Sequence, residues 1–291
     1  MNIHPTTSYR VKFPAGSPTA ADSSADFDGI ELTGIVDRPA DVSPQHNLPV
    51  AVFSHCFTCN KDLKATVRIS RALAKSGIAV LRFDMTGLGG SGGDFSQTNF
   101  TTNLADLAAA IRYADSQIGP VSTLIGHSFG GIASLVTAAK AQDDSDELPL
   151  SQLGFVATLA APSDTGHLAT LLTQMNPAIE SAGIATVTIG GIDWQIRKQM
   201  LDDFRRHDVA KWLPKIKCPV LLMHSPVDET VGFDHAIRLM SLIQTQRDDA
   251  TAPNTPVSLL TLAGADHLLI RDPRDLIFVS EQLASWIHRR F

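Results

Sequence analysis

Three residues far apart in the chain have the types and setting to make one nucleophile. Leu124-Ile125-Gly126-His127-Ser128-Phe129-Gly130-Gly131 holds G-x-S-x-G between an apolar run and a helix-like run. Small residues let the chain turn sharply there and hold the serine hydroxyl proud at a helix N-terminus, which favours developing negative charge. A serine hydroxyl is a poor nucleophile until a base takes its proton. Behind such a turn the partners follow in the order serine, acid, histidine. Leu221-Leu222-Met223-His224-Ser225-Pro226-Val227-Asp228 leads from an apolar run to a carboxylate, and Leu262-Ala263-Gly264-Ala265-Asp266-His267 leads from the next to a histidine. Ser128 is therefore read as nucleophile, His267 as base, and Asp228 as the acid that fixes the histidine tautomer. Two rival acids, Asp266 and Glu229, fit less well. Asp266 neighbours His267 in the chain, which directs its side chain elsewhere, and Glu229 suits solvent. The other histidines, His127 and His224 included, read as structural or surface residues.

Acyl transfer needs two amide donors aimed at the oxyanion. One is the N–H of Phe129, the residue after the nucleophile. The other is expected from Ser54-His55-Cys56-Phe57-Thr58-Cys59-Asn60, with Phe57 as donor and His55 and Cys56 beside the pocket. Cys56-x-x-Cys59 resembles a redox pair, but a thioredoxin-like motif sits in a different fold. As zinc ligands the two lack a partner pair, because Cys218 lies far off in the chain. A role in shaping the oxyanion loop is the favoured reading. Gly87-Leu88-Gly89-Gly90-Ser91-Gly92 matches G-x-G-x-x-G, yet a dinucleotide site needs a helix to begin at once. Asp94-Phe95-Ser96-Gln97-Thr98-Asn99 intervenes, so this loop is expected to flank the pocket, with Asp84 fixing its turn.

These residues must be held by elements that the apolar pattern announces. Runs over 30–36, 50–54, 79–83, 121–125, 154–159, 219–224 and 257–262 lack the alternation of a half-wet sheet, which predicts strands covered on both faces. Helical spacing predicts helices over 61–75, 100–116, 130–141, 233–246 and 275–289. That alternation implies an α/β fold with a mostly parallel sheet and helices on both sides. Residues 14–29 and 143–147 read as loops. The stretch 163–206 breaks the rhythm. Within it Leu168, Leu171, Leu172 and Met175 share one helical face. A Gly190-Gly191 turn would pair Ile189 with Ile192 and Val187 with Trp194. A small helix-plus-hairpin cap on a single 1–291 domain follows, with Leu168, Leu172 and Trp194 as pocket candidates.

The chain has 291 residues, 44% hydrophobic and 19% charged, which is ample for a core. Lys plus Arg is 24 and Asp plus Glu is 30, a formal charge of −6 without basic blocks, which argues against nucleic acid as partner. No stretch reads as a signal peptide or membrane span. Three cysteines cannot build a disulfide framework, so a reducing cytoplasm is the expected setting.

Together these motifs resemble the α/β-hydrolase superfamily. More narrowly, the chain is similar to the hydrolases associated with OsmC domains, found alone or fused ahead of an OsmC-like domain. The resemblance rests on 55–62 (HCFTCNKD), 80–91 (VLRFDMTGLGGS), 187–191, 196–198, 201–203 and 264–269 (GADHLL), and runs from about Val50 onward. It implies the same Ser128, Asp228, His267 triad, and an OsmC-like domain as a partner; the 291 residues hold none. The expected activity is serine hydrolysis of short-chain carboxylic esters through an acyl-enzyme, without cofactor or metal. Thioesterase, lactonase, amidase and perhydrolase chemistry would use the same residues, whereas a dehalogenase needs a carboxylate where Ser128 stands. A redox or partner-binding module built on Cys56 and Cys59 is the reading from another class.

Overall fold

The computed structural model describes residues 3–16, 29–42, 48–142, 148–244 and 255–290. Most of the loop expected over 14–29, all of 143–147 and the last two residues expected for the helix over 233–246 lie outside them. The strands are β1 (Thr6–Pro14), β2 (Glu31–Pro39), β3 (Val50–Ser54), β4 (Ala79–Phe83), β5 (Val121–His127), β6 (Phe155–Leu159), β7 (Ile184–Ile189), β8 (Ile192–Arg197), β9 (Val220–His224) and β10 (Val257–Thr261). The helices are α1 (Lys64–Lys75), α2 (Phe100–Gln117), α3 (Phe129–Ala141), α4 (Gly166–Met175), α5 (Ala178–Ala182), α6 (Lys198–Arg206), α7 (Val209–Trp212), α8 (Phe233–Gln244) and α9 (Pro273–Arg290). Eight strands form one sheet in the order β1-β2-β4-β3-β5-β6-β9-β10. Only the β1–β2 and β2–β4 pairings are antiparallel; the rest are parallel.

The continuous apolar runs have a direct physical reason. In β3, Val50 and Val52 point into one core and Ala51 and Phe53 into the other. Val156 parts from Phe155 and Ala157 in β6 in the same way, and Leu222 from Leu221 and Met223 in β9. Helices α2, α3 and α8 cover the first face and α1 and α9 the second. Strand β1 was not foreseen, although Val11 and Phe13, two apart, are its buried face. No helix among the described residues is long and apolar enough to cross a membrane.

Residues 163–206 fold as α4, α5, the β7–β8 hairpin and α6. The hairpin register pairs Ile189 with Ile192 and Val187 with Trp194. Gly190 and Gly191 have φ of 61° and 80°, the left-handed values that a two-residue turn of this kind demands. Asp203 of α6 fastens the segment to the body. It accepts the N–H of Phe100 at 2.9 Å, the N–H of Thr101 at 3.1 Å and the Thr101 hydroxyl at 2.7 Å. A carboxylate at the α2 N-terminus meets its unpaired amides and its dipole.

Candidate active site

Strand β5 runs to His127 and α3 starts at Phe129, so Ser128 alone makes the turn between them. Its φ of 52° and ψ of −119° lie in a region that L residues rarely adopt. Two glycines permit the turn. A Cβ on Gly126 would lie 2.2 Å from the Gly130 carbonyl oxygen, and one on Gly130 would lie 2.4 Å from that of Ser54. The turn is pinned by the Ser128 N–H, which donates to the Leu159 carbonyl at 2.7 Å. The described non-glycine residues with positive φ are Thr58, Ser128, Ala160 and Leu269. Ala160 and Leu269 line a small cavity with Asp228 and His267, and Thr58 lies in the loop after β3. Three of these four strained positions, Ser128, Ala160 and Leu269, thus gather around the relay.

Asp228 and His267 come to Ser128 from the loops after β9 and β10. His267 Nδ1 lies 2.8 Å from Asp228 Oδ2, and His267 Nε2 lies 3.0 Å from Ser128 Oγ. With a carboxylate at Nδ1, the proton belongs on that nitrogen, which leaves Nε2 to accept the serine hydroxyl. The other oxygen of Asp228 accepts the N–H of Thr230 at 2.8 Å and of Val231 at 2.9 Å. Burial alone would raise the Asp228 carboxyl, but the His267 hydrogen bond and charge and the two amides outweigh it and hold it below the usual range. Asp266 is engaged in its own turn, where it accepts the N–H of Ile270 at 3.1 Å and of Arg271 at 2.8 Å. Glu229 is exposed.

Two of the set-aside histidines support this arrangement. His127 Nε2 donates to the His267 carbonyl at 2.8 Å, and His224 Nε2 donates to the Val231 carbonyl at 2.8 Å, closing the Asp228 turn. Strand-end positions next to Ser128 and ahead of Asp228 were the available signal. Burial, aided by repulsion from His267, pushes His127 down to about 3. A neutral buried histidine stabilises the fold fully above its unfolded value of 6.5 and loses that contribution as pH falls towards 3. The stability advantage of wild type over His127→Gln should therefore shrink by roughly 3 kcal/mol between pH 7 and 4. Urea unfolding at the two pH values measures it; an advantage that does not change with pH would mean that His127 is not held neutral.

The loop after β3 lies against the start of α3, where Ser54 and His55 crowd Gly130. Neither the Phe57 nor the Phe129 N–H donates to an acceptor among the described residues. Their rings meet edge to face at 5.8 Å. The expectation from cysteine count needs correction here: Cys56 and Cys59 form a disulfide, and Cys218 is the free cysteine among the described residues. Counting excluded a framework, but one short-range pair needs only close Cα atoms, and the turn brings them within 5.3 Å. Sulfurs joined in this way are not thiolate ligands for zinc. Beneath the loop, Asp84 accepts the Lys61 N–H at 2.6 Å, Lys61 Nζ at 2.7 Å and the Gly90 N–H at 2.7 Å. The glycine-rich turn thus wraps a buried carboxylate, and the 3-10 turn at Phe95–Gln97 separates it from α2.

The expected pocket residues separate. His55 is 1% exposed, its Nδ1 donating to the Cys56 carbonyl and its Nε2 accepting the Met85 N–H, so its ring belongs to the body. Leu172 is likewise 1% exposed and joins Ala169, Ile179, Val187, Ile196 and Phe204 in a continuous core. From the two apolar faces of the insert, Leu172 and Val187 bury into this core, while Met175 is 53% and Ile192 57% exposed. Leu168 and Trp194 are only partly buried. Trp194 packs on Phe95 at 4.8 Å, and Phe95 on Phe57 at 5.4 Å. Phe204 of α6 reaches Phe129 at 5.1 Å, so the insert stands next to the serine turn.

Among known structures, the esterase domain of a Rhodothermus marinus protein is 35% identical, with 97% of this chain and 98% of that one covered at a TM-score of 0.69. A putative hydrolase from Agrobacterium vitis S4 shares the fold at 19% identity, covering 98% and 100% at 0.72. Est1E of Butyrivibrio proteoclasticus, solved with ferulic acid bound, does so at 20%, covering 91% and 97% at 0.69. No curated protein matches significantly. A model of the alpha/beta hydrolase family matches residues 51–280. That match takes in the strand before the disulfide loop, the serine turn and both partner loops, and this chain belongs to the alpha/beta hydrolase family.

Proposed function

We propose that the chain is a serine carboxylesterase acting through an acyl-enzyme on Ser128. The observation that carries this reading is the continuous relay from Ser128 Oγ through His267 to Asp228, next to the Phe129 amide, which meets no acceptor among the described residues. His267 Nε2 takes the Ser128 proton as Oγ attacks the ester carbonyl carbon. The oxyanion is received by the Phe57 and Phe129 amides at the N-terminus of α3. His267 then protonates the leaving alcohol, and a water activated by the same nitrogen releases the acid. Asp228, held ionised by its hydrogen bonds, stabilises the imidazolium at each step. The 35% identity to a chain described as an esterase domain supports the choice of esters. Labelling with a fluorophosphonate followed by peptide mapping tests the nucleophile: a modified peptide containing Ser128 is expected, and a folded protein that stays unlabelled would overturn the reading.

Acyl length follows from the insert. Trp194, wedged against Phe95, is proposed as the wall of a small acyl site. Rates on p-nitrophenyl esters should climb by up to ~0.8 kcal/mol per methylene over about C2 to C6 and then stop. Trp194→Ala should move that optimum to longer chains. Leu172→Ala, a core truncation, should instead cost about 2–5 kcal/mol of stability and leave the profile where it is. An unchanged profile in folded Trp194→Ala would limit the hairpin to packing.

A further inference from the structure

The loop that offers the Phe57 amide is closed by a bond that can be opened. Cys56, Phe57, Thr58 and Cys59 make one tight turn, with the Cys59 N–H donating to the Cys56 carbonyl at 3.1 Å. Thr58 stands inside it at φ 58°, a left-handed conformation that suits glycine and is costly for a β-branched side chain. Left to itself, this turn should relax out of that conformation, and the disulfide is the covalent constraint that opposes it. Phe57 lies between the two cysteines, so whatever sets the turn also sets the direction of its N–H. Closing so short a loop does little for global stability compared with a long-range bridge. Its effect is local. Cys56 is buried and Cys59 partly exposed, so Cys59 Sγ is the sulfur an incoming thiolate can reach.

We propose that Cys56 and Cys59 are a reversible redox site that sets the activity of the proposed esterase by holding the Phe57 amide in its oxyanion-binding direction. This rests on the reading of Ser128 as an esterase nucleophile. The reductant class is a small dithiol. One dithiol thiolate attacks Cys59 Sγ, the Cys56–Cys59 bond breaks, and Cys56 leaves as a thiolate that takes up a proton. The second dithiol sulfur then attacks its own mixed disulfide and releases Cys59 as a thiol. Two electrons pass to the protein and the dithiol ends as a cyclic disulfide. The oxidised form is the more active one, and exposure to dithiols lowers its rate.

The test uses the full chain, oxidised and then treated with dithiothreitol, with p-nitrophenyl acetate hydrolysis and fluorophosphonate labelling read side by side. Alkylation in denaturant should count one thiol before reduction and three after it. Reduction should lower kcat by about 10- to 100-fold, short of the full loss of one oxyanion donor, with KM changed far less. Reoxidation should restore the rate. Cys56→Ser/Cys59→Ser should sit at the reduced rate and ignore dithiothreitol, while Cys218→Ser should respond as wild type does. Should the double variant not fold, the reduction and reoxidation cycle on wild type decides alone. A reduced, folded wild type that keeps its kcat within twofold overturns the proposal, as do three free thiols in the oxidised protein. Absence of both hydrolysis and labelling in the oxidised protein would instead overturn the esterase reading beneath it.

Discussion

Ser128→Ala should abolish fluorophosphonate labelling and cut kcat on the order of 10⁴- to 10⁶-fold. The substitution removes only the hydroxyl oxygen, and alanine tolerates the backbone at φ 52° no worse than serine does. The glycines that permit the turn are untouched, so the variant should fold as wild type. His267 then has no proton to take, and the reaction falls back on water held near the two amides. A small residual rate over the uncatalysed reaction is therefore expected from the oxyanion site alone. A loss of less than tenfold in a folded variant would place the nucleophile elsewhere.

Asp228→Asn should be nearly as damaging, on the order of 10⁴-fold in kcat, while Asp266→Asn should stay within about tenfold. The contrast follows from what each carboxylate holds. Asp228 accepts from His267 Nδ1 and from two backbone amides at once. An asparagine there offers an N–H₂ to Nδ1, which favours the tautomer with the proton on Nε2, where it blocks acceptance from Ser128. It also removes the charge that stabilises the imidazolium. Asp266 accepts only amides of its own turn, and an asparagine oxygen can keep those bonds. Steady-state kinetics on the two folded variants checks the order; a more damaging Asp266→Asn would reverse the assignment of the acid.

Much of this architecture was legible in one dimension because it is local. Strands covered on both faces show as unbroken apolar runs, and the five longest helices show as helical spacing between them. The Gly190-Gly191 turn announced its own register, since a two-residue hairpin leaves no freedom in pairing. Gly126, Ser128 and Gly130 describe a steric requirement of a single turn, so they too could be read directly. Helix α6 and strand β1 escaped notice. Each is amphipathic over a short span, with Val11 and Phe13 or Met200, Leu201 and Phe204 as its buried side.

What the linear order could not contain is which side chains meet across long separations. The order serine, acid, histidine and the adjacency of Asp266 to His267 favoured Asp228, but only the fold shows what occupies Asp266, the amides of Ile270 and Arg271. His127 and His224 look like any other histidine until the fold lays one on the His267 carbonyl and the other on that of Val231. Leu172 and Trp194 stand in the same insert, yet packing buries the first and leaves the second beside Phe95. Cys56 and Cys59 could be ligands, thiols or a bridge by spacing alone, and the turn that brings their Cα atoms to 5.3 Å selects the bridge. Residue types and local periodicity specify the chemistry available and the elements that carry it. The partners of a buried polar group are chosen by packing in three dimensions, because an unpaired one costs too much to leave to sequence neighbours.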